Sequence, residues 1–206
     1  MSSSPTSAPN SSPSAPPPRR RGSPLKQFLG CVAALIALPL IFLVILALVL
    51  PNRWESEQRI TIPAPRAEVH AFLDDATNWE QWFKPGPGYH DIPITYTVGG
   101  PGRGAGSTIA WSSEVESIGS GTVTITASRV EAIDYTVSMA EERVTAEGTI
   151  ALDAVDAGTL ITWRDSGTIP RFPGGLMAWL VERGVDQIHA ENLLELKRIF
   201  ARRARE

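Results

Sequence analysis

Three histidines, one cysteine and a dense run of glycines are the residues of this chain whose types best suit chemistry. The histidines, His70, His90 and His189, stand far apart, and the cysteine lies within an apolar run. A metal site draws several His, Cys or carboxylate ligands from characteristic short spacings, and none occurs here. The sequence therefore predicts no metal site and no cofactor. It also shows no nucleophile–base–orienter set that would identify a catalytic residue.

The glycines lie in YTVGGPGRGAGSTIAW, residues 96–111, where Gly100, Gly102 and Ala105 have the spacing G-x-G-x-x-A. A glycine turn that holds a nucleotide phosphate leads into a helix, whose N-terminus faces the phosphate. Here the glycines precede STIAWSSE, which is typical of a strand because it is rich in β-branched and aromatic residues. We therefore predict a hairpin loop, in which glycine permits a tight reversal between two strands.

The region after residue 52 has the pattern of strand, two helices, six strands and one long helix. WESEQRITIPA alternates polar and apolar residues, as a strand does, and RAEVHAFLDD and ATNWEQWF follow as two short helices. The next six segments are joined by short turns, so neighbouring strands must pair antiparallel. The last helix is predicted from about Leu176 to Arg203. Its apolar stripe consists of Met177, Val181, Val185, Ile188, Leu196 and Ile199.

The first 52 residues differ in composition from the rest. Residues 1–24 contain eight Ser and seven Pro but no aromatic residue, which predicts a disordered tail. Phe28 to Leu50 is a run of 23 residues without a charge, long enough for a helix to cross the hydrocarbon core of a bilayer. Residues 25–52 are therefore predicted to be a transmembrane helix with a basic N-terminal flank, and residues 53–206 a separate domain.

The charges around this run predict its orientation. Arg19, Arg20, Arg21 and Lys26 precede it, and no acidic residue occurs before residue 51. The positive-inside rule then places the N-terminus in the cytoplasm and the C-terminal domain outside it, in a single-pass membrane protein. Trp54, just after the run, is expected at the membrane interface. The exported domain contains no cysteine and hence no disulfide.

Net charge excludes one class of partner. All 22 acidic residues follow residue 50, whereas four of the 19 basic residues precede it, so the domain is acidic. Proteins that bind nucleic acids present a basic face to the phosphates. The basic residues from Lys197 to Arg205 fit the last turns of a helix, where positive charge meets the helix dipole. We predict no nucleic-acid partner.

The chain resembles the START-like (SRPBCC) superfamily and, within it, the polyketide cyclase/dehydrase and lipid-transport family. The resemblance is carried by ITIPAPRAEVHAFLDDATNWEQW, GGPGRGAGSTIAW, GTLITW and ENLLELKRIF in this order, over roughly residues 53–203. It implies an α+β helix-grip fold, in which a curved antiparallel sheet of about seven strands surrounds a long C-terminal helix. His70 departs from the family pattern, which more often has an aromatic residue at this position.

The resemblance also implies a groove between the sheet and the last helix, suited to a lipid, an isoprenoid or a polyketide-like molecule. His189 and Asn192 are the candidates to orient a polar group of the ligand. A helix shoulder that faces water, or a hydrogen bond to nearby backbone, stays open as the alternative for both. The side chains expected to bind the ligand are Tyr96, Trp111, Tyr135, Met139, Ile150, Leu180, Ile188, His189 and Asn192.

Two further polar features have simpler interpretations. His70 and Asp74 are four residues apart on one predicted helix, a spacing at which side chains can hydrogen-bond, and we interpret them as a surface or packing pair. Arg164 lies in a strand that can bury either face. We expect it to point outward, because an unpaired buried charge is costly.

Three functions remain open at the level of the sequence. The first is a membrane-anchored carrier of a hydrophobic molecule, with a continuous apolar cavity. The second is an enzyme of the cyclase or aromatase type, which requires a His, Arg or carboxylate deep in the groove, with His189 the first to check. The third is a scaffold without a ligand, which predicts a groove filled by its own side chains and an exposed apolar patch. A protein without catalysis is favoured because no nucleophile–base–orienter set is present in the sequence, and the resemblance implies that only some family members are enzymes.

Overall fold

The computed structural model describes residues 24–86, 92–139, 144–169 and 171–205. In the first helix, side chains are described at Phe28 and from residue 35 onward, and in the last helix from residue 177 onward. The chain divides into a unit that ends at Leu43 and a unit that begins at Val44. The predicted disordered tail falls, up to residue 23, outside the described residues.

The first helix, α1, spans Pro24–Val49. Its described apolar side chains include exposed ones such as Leu35 and Ile36. Among the described residues, no helix is both long enough and apolar enough to cross a membrane. The predicted transmembrane span is therefore not supported.

The strands form one curved antiparallel sheet, as the resemblance implied. They are β1 (Arg53–Ile62), β2 (Thr95–Gly99), β3 (Thr108–Ser112), β4 (Ser120–Arg129), β5 (Ala132–Met139), β6 (Val144–Val155) and β7 (Gly158–Thr168). Their order across the sheet is β1-β7-β6-β5-β4-β3-β2. The strand that begins the domain therefore pairs with the strand that precedes the last helix.

Side chains alternate between the two faces of this sheet. In β7, Ile161, Trp163 and Asp165 are buried, whereas Arg164 between them is exposed. The guanidinium Nε of Arg164 donates a hydrogen bond to the Glu57 carboxylate at 2.5 Å. The outward direction predicted for Arg164 is thus confirmed. The buried face, referred to here as the inner face, is the one that the last helix covers.

Trp54 lies on the inner face of β1 and is 4% exposed. Its indole ring packs over Gly167 of β7, where an added Cβ would come within 2.8 Å of the ring. The expectation that Trp54 sits at a membrane interface is therefore wrong. The glycine opposite gives the ring a flat surface to bury itself against.

Two short helices join β1 to β2. The first, α2, spans Arg66–Leu73 and buries its apolar side. The predicted second short helix is present and is a 3₁₀ helix, Ala76–Gln81. Its start is tightened by Asp75, whose side chain accepts a hydrogen bond from the Thr77 backbone at 3.0 Å. This short helix carries Trp79 into the core with no exposed surface.

The glycine-rich stretch is a hairpin loop between β2 and β3, which confirms the prediction. The element after the loop is β3 and not a helix. The loop contacts the junction between α2 and the 3₁₀ helix, where the Gly104 backbone N–H donates a hydrogen bond to the Asp74 carbonyl at 3.1 Å. The loop glycines with positive φ, a conformation that side chains disfavour, are Gly100, Gly102, Gly104 and Gly106.

The last helix, α3, spans Arg171–Arg203 and so begins earlier than the predicted Leu176. Leu196 and Ile199 of the predicted stripe are buried against the sheet. Met177, which was expected on the same stripe, is 45% exposed. The stripe is therefore buried only toward the C-terminal end of the helix.

Candidate ligand-binding site

One row of residues crosses four neighbouring strands on the inner face of the sheet. The register places Tyr135 of β5 opposite Gly148 of β6, and Gly148 opposite Asp165 of β7. Asp165 in turn lies opposite Ser56 of β1. Directly opposed residues of antiparallel strands point to the same side. The sheet thus presents a phenol, a carboxylate and a hydroxyl in one line toward α3.

Gly148 is the reason that the first two of these groups can meet. A Cβ added there would lie 2.1 Å from the Asp165 carboxylate and 2.3 Å from the Tyr135 hydroxyl. Cβ atoms essentially never approach other atoms so closely. The Tyr135 hydroxyl therefore reaches Asp165 across the space that a side chain on β6 would fill.

Tyr135 is the inner end of a chain of hydrogen bonds. Its hydroxyl accepts a hydrogen bond from the indole Nε1 of Trp163 and donates its own proton to Asp165 Oδ1. The pKa of Tyr135 is raised well above its usual value, first by burial and then by the negative charge of Asp165. The phenol therefore keeps its proton.

His189 of α3 extends this chain toward the helix. Its imidazole is 3% exposed, with Nε2 3.0 Å from Asp165 Oδ2 and Nδ1 3.2 Å from the Ser56 hydroxyl. The ring also stacks on Trp163, with centroids 4.0 Å apart and an angle of 15° between the planes. A histidine is therefore fixed deep between sheet and helix, at the position that the sequence singled out.

Ser56 does not have the geometry of an activated nucleophile. A nucleophilic serine passes its proton to a histidine, which a carboxylate orients from the far side. Here the Ser56 hydroxyl donates its proton to Asp186 Oδ1 of α3 at 2.7 Å, and so it can only accept from His189. The set of Ser, His and Asp therefore holds and orients protons, and it does not predict a covalent mechanism.

An aromatic cluster surrounds this polar chain. Trp79, Trp82 and Phe83, from the 3₁₀ helix and the residues after it, pack with ring centroids 5.1–6.1 Å apart. Trp82 contacts Trp163 at 5.4 Å, and Phe83 contacts Trp111 of β3 at 5.8 Å. All five rings are at most 7% exposed. The space between sheet and helix is therefore occupied by the protein's own rings.

Asn192 serves the backbone, which was the alternative that the sequence left open. Its side-chain Oδ1 accepts from the backbone N–H of Lys84, and its Nδ2 donates to the carbonyl of the same residue, both at 3.0 Å. This pair of bonds ties the segment after the 3₁₀ helix to α3. Asn192 is 2% exposed, so the tie is made inside the protein.

The other side chains predicted to bind a ligand are not gathered at one place. Leu180 is 51% exposed and Ile188 is half-buried on α3. The predicted residues that belong to the core, or pack against it, are Trp111, Ile150, Tyr96 and Met139. The hydroxyl of Tyr96 donates to the Phe83 carbonyl at 2.7 Å. Ligand binding by any of these residues stays a prediction.

His70 does not join the site. His70 Nε2 lies 3.0 Å from the Ser128 hydroxyl, which donates to Asp74, so the predicted pair is bridged by a serine. His90 lies outside the described residues. Within the described ranges, no group of His, Cys, Asp or Glu could hold a metal ion.

Two depressions, of about 830 and 600 Å³, are lined mainly by residues of the opposite face of the sheet. Glu57, Glu147 and Arg164 line the larger one, and their side chains are exposed. These polar depressions are not the predicted apolar groove. That groove was expected where the aromatic cluster now fills the space.

Sequence reasoning missed Ser56, Asp165 and Asp186. A signal existed for Asp165, because alternation along β7 puts it on the same face as Ile161 and Trp163. Ser56 has the same parity in β1 as the buried Trp54. No local signal marks Asp186, which is half-buried and joins the site only through Ser56.

Comparison with known proteins gives one family. The family model described as polyketide cyclase/dehydrase and lipid transport matches residues 53–201. No curated protein sequence matches the chain.

Solved structures share the fold at low identity. The di-domain ARO/CYC StfQ of the steffimycin biosynthetic pathway has a TM-score of 0.56 and 10% identity, over 75% of this chain and 53% of its own. The Zhui aromatase/cyclase of a Streptomyces species has a TM-score of 0.55 and 15% identity, over 74% and 96%. An uncharacterized protein of Rhizobium leguminosarum has a TM-score of 0.54 and 16% identity, over 73% and 95%. This chain thus spans about half the length of StfQ, and the likenesses show the fold alone.

Proposed function

This chain belongs to the polyketide cyclase/dehydrase and lipid-transport family, and from that premise we propose that its domain binds a hydrophobic small molecule between the sheet and α3. The ligand is expected to be planar and to carry carbonyl or hydroxyl groups, as aromatic polyketides do. Aromatic walls suit such a ring system by stacking and by edge-to-face contact.

The observation that carries the proposal is the buried polar group made by Tyr135, Asp165 and His189. Ligand sites in proteins are mostly apolar, with a few convergent polar side chains that fix orientation. The interior between sheet and helix has this composition, because the polar group is enclosed by the rings of the aromatic cluster. A core without a binding role has little reason to bury three polar side chains.

Two unpaired donors in the same region support a ligand with oxygen acceptors. In the described part of the chain, the indole N–H groups of Trp82 and Trp111 have no hydrogen-bond partner, although both residues are at most 3% exposed. A buried donor without an acceptor costs about 1–3 kcal/mol. A carbonyl oxygen of a bound molecule would remove this cost.

Entry of the ligand requires the rings of the aromatic cluster to separate. Trp79, Trp82 and Phe83 all come from the segment that Asn192 ties to α3 through Lys84. We propose that this segment moves when the ligand enters. If rings of the ligand take the place of the side-chain rings of this segment, the buried apolar area stays about the same. The free energy of exchanging one set of rings for the other is then close to neutral.

The test is a titration of the full-length protein with a hydroxylated anthraquinone and, separately, with palmitic acid, followed by tryptophan fluorescence and calorimetry. We expect saturable binding of the anthraquinone, weakened at least about tenfold by Trp82→Phe, because one indole donor is worth about 1.4 kcal/mol. Trp179→Phe is the matched control, since Trp179 is 57% exposed. Binding of palmitic acid alone would favour the lipid carrier, and binding of neither would leave the scaffold.

A second candidate, acid–base catalysis of cyclisation or dehydration, is favoured by the buried contact between His189 and Asp165. A positioned acid or base contributes roughly 10²–10⁴-fold to a rate. Two of the similar structures are those of an ARO/CYC protein and of an aromatase/cyclase. To test this function, the protein is incubated with a linear poly-β-ketone thioester. Mass spectrometry then measures whether the substrate loses water. Turnover by the wild type and its loss in His189→Gln would support the enzyme, whereas binding without turnover would support the carrier.

Attachment to a membrane, with the domain outside the cytoplasm, is a separate proposal. Its support is the sequence alone: the uncharged run from Phe28 to Leu50 and the basic residues before it. Carbonate extraction and protease accessibility of the full-length protein in its native membranes test it. Release of the chain by carbonate would contradict the attachment, and protection of the domain in intact cells would contradict the orientation.

A further inference from the structure

The hydrogen bonds around His189 fix which of its ring nitrogens carry protons. At one end, Asp186 accepts the proton of the Ser56 hydroxyl, since a carboxylate can only accept. Ser56 has no second proton to give, so the contact of 3.2 Å between its oxygen and Nδ1 must be donated by the ring. Nδ1 therefore carries a proton.

The other end of the chain gives the same answer for Nε2. The indole of Trp163 donates to the Tyr135 oxygen, and Tyr135 donates its own proton to Oδ1 of Asp165. Asp165 thus accepts at one oxygen, and its other oxygen lies 3.0 Å from Nε2. With the carboxylate ionised, Nε2 must donate as well.

We propose that His189 is held as a doubly protonated imidazolium, and that Ser56 and Asp186 are the positioning residues that keep its second proton in place. The charged or titratable groups that face the ring are Asp165 from β7, with Tyr135 of β5 behind it, and Asp186 from the helix itself through Ser56 of β1. The Trp163 ring, stacked at 4.0 Å, also favours a cation over a neutral ring.

The role of the protonated His189 rests on the proposed function, which is the binding of a ligand between the sheet and α3. The site holds one proton at Nε2, beside Asp165 and within the interior proposed to bind a carbonyl-bearing molecule. Every proton of the chain from Trp163 to Asp186 has an acceptor within the protein. A ligand oxygen can therefore gain a hydrogen bond from this chain only by replacing one of the present acceptors.

The experiment uses the full-length protein labelled with ¹⁵N-histidine. The protein contains three histidines and therefore three labelled imidazoles. Ring ¹⁵N shifts at neutral pH distinguish a protonated from an unprotonated nitrogen. We expect both nitrogens of His189 to be protonated in the wild type, and the Nδ1 proton to be lost in Ser56→Ala. Ser128→Ala, the matched change beside His70, should leave the His189 shifts unmoved and identify the His70 signals.

A singly protonated His189 in the wild type would overturn the inference, and so would a Ser56→Ala variant that keeps both ring protons. Asp186→Ala supplies the same test if Ser56→Ala does not fold. Without Asp186, the Ser56 hydroxyl can donate its proton to Nδ1. The Nδ1 proton is therefore again expected to be lost. Titration of the same samples with the anthraquinone separates the two ideas. Binding by a protein with a neutral His189 would refute the proton assignment alone, and an imidazolium in a protein that binds no ligand would refute the proposed function alone.

Discussion

The protein contains two chains of hydrogen bonds built from the same residue types. His70, Ser128 and Asp74 form one, between α2 and β4, and His189, Ser56 and Asp186 form the other, between α3 and β1. In both chains the serine gives its proton to the carboxylate, and the histidine faces the serine oxygen. The two hydrogen-bond chains therefore have the same residue types in the same order, and they differ only in their surroundings.

The surroundings decide what each histidine can do. His70, Ser128 and Asp74 are all half-buried, and water can replace any of their bonds. His189 is 3% exposed, contacts a second carboxylate, Asp165, and stacks on an indole. A buried charge must have a partner inside the protein, whereas an exposed one does not. Burial, rather than the presence of His, Ser and Asp, therefore makes the hydrogen-bond chain at α3 a candidate site.

The largest effect should come from Gly148→Ala, which removes the space in which Tyr135 meets Asp165. The new methyl group would lie 2.1 Å from the Asp165 carboxylate, so the row across the sheet must shift. We expect a loss of at least about 3 kcal/mol in the free energy of unfolding, from overpacking and a broken buried hydrogen bond. Chemical denaturation measures it.

Gly184→Ala in α3 is the matched control, because a Cβ there meets nothing within 4 Å. That change should stabilise the protein by roughly 0.5–1 kcal/mol, as alanine is the better helix former. A Gly148→Ala variant as stable as the wild type would show that the row is not rigid.

Next in size is the removal of one carboxylate from the surroundings of each histidine. Asp165→Ala leaves the buried imidazolium of His189 without its direct partner, and should cost about 3–5 kcal/mol in the free energy of unfolding. Asp74→Ala should cost only about 1 kcal/mol, since half-buried groups can turn to water. Equal costs for the two variants would mean that burial does not distinguish the chains.

Alkaline pH should act on the buried chain through Tyr135. An unfolded tyrosine ionises near pH 10, whereas burial and Asp165 keep the pKa of folded Tyr135 well above that value. The stability due to the neutral phenol is thus complete below about pH 10 and falls as the pH rises further, by about 1.4 kcal/mol per pH unit. Urea unfolding between pH 9 and 11 measures the slope.

Tyr135→Phe should reduce this slope by one proton, but not abolish it. Burial also raises the pKa of Tyr96, which lies outside the chain and donates to the Phe83 carbonyl. An unchanged slope in Tyr135→Phe would contradict the position of the phenol in the buried chain.

The smallest difference is expected between the two serines. Ser56→Ala removes a bridge between His189 and Asp186 that is 5% exposed, and should cost about 1–3 kcal/mol. Ser128→Ala should cost about 1 kcal/mol or less, because water can replace the hydroxyl there. Thermal unfolding of both variants at neutral pH gives the comparison, and a reversed order would reject it.

Much of the architecture was predictable from the sequence because its causes are local. Alternation of period two and β-branched residues identified the strands, and the cost of burying an unpaired charge predicted the outward direction of Arg164. The strand after the glycine run was enough to identify a hairpin loop. The short helix after α2 was predicted too, but its 3₁₀ geometry was not, since its tight start depends on the Asp75 side chain bonding to Thr77 rather than on any apolar periodicity.

The candidate site depended on contacts that no local pattern encodes. Only the register across β5, β6 and β7 puts Gly148 between Tyr135 and Asp165. Asn192 could not be assigned from the sequence either, because its partner is the distant backbone of Lys84.

The sequence therefore indicated where the strands lie, and that a histidine stands on the last helix near its apolar stripe. The tertiary structure alone decided that His189 meets Ser56, 133 positions away in the chain, and Asp165 together. The direction of a side chain depends on the pleat of its own strand. The contact of His189 with Ser56 and Asp165 depends instead on the pairing of β1 with β7 and on how α3 packs across them. Such pairing is set by the whole core, and a residue's chemistry follows from the neighbours it gains there.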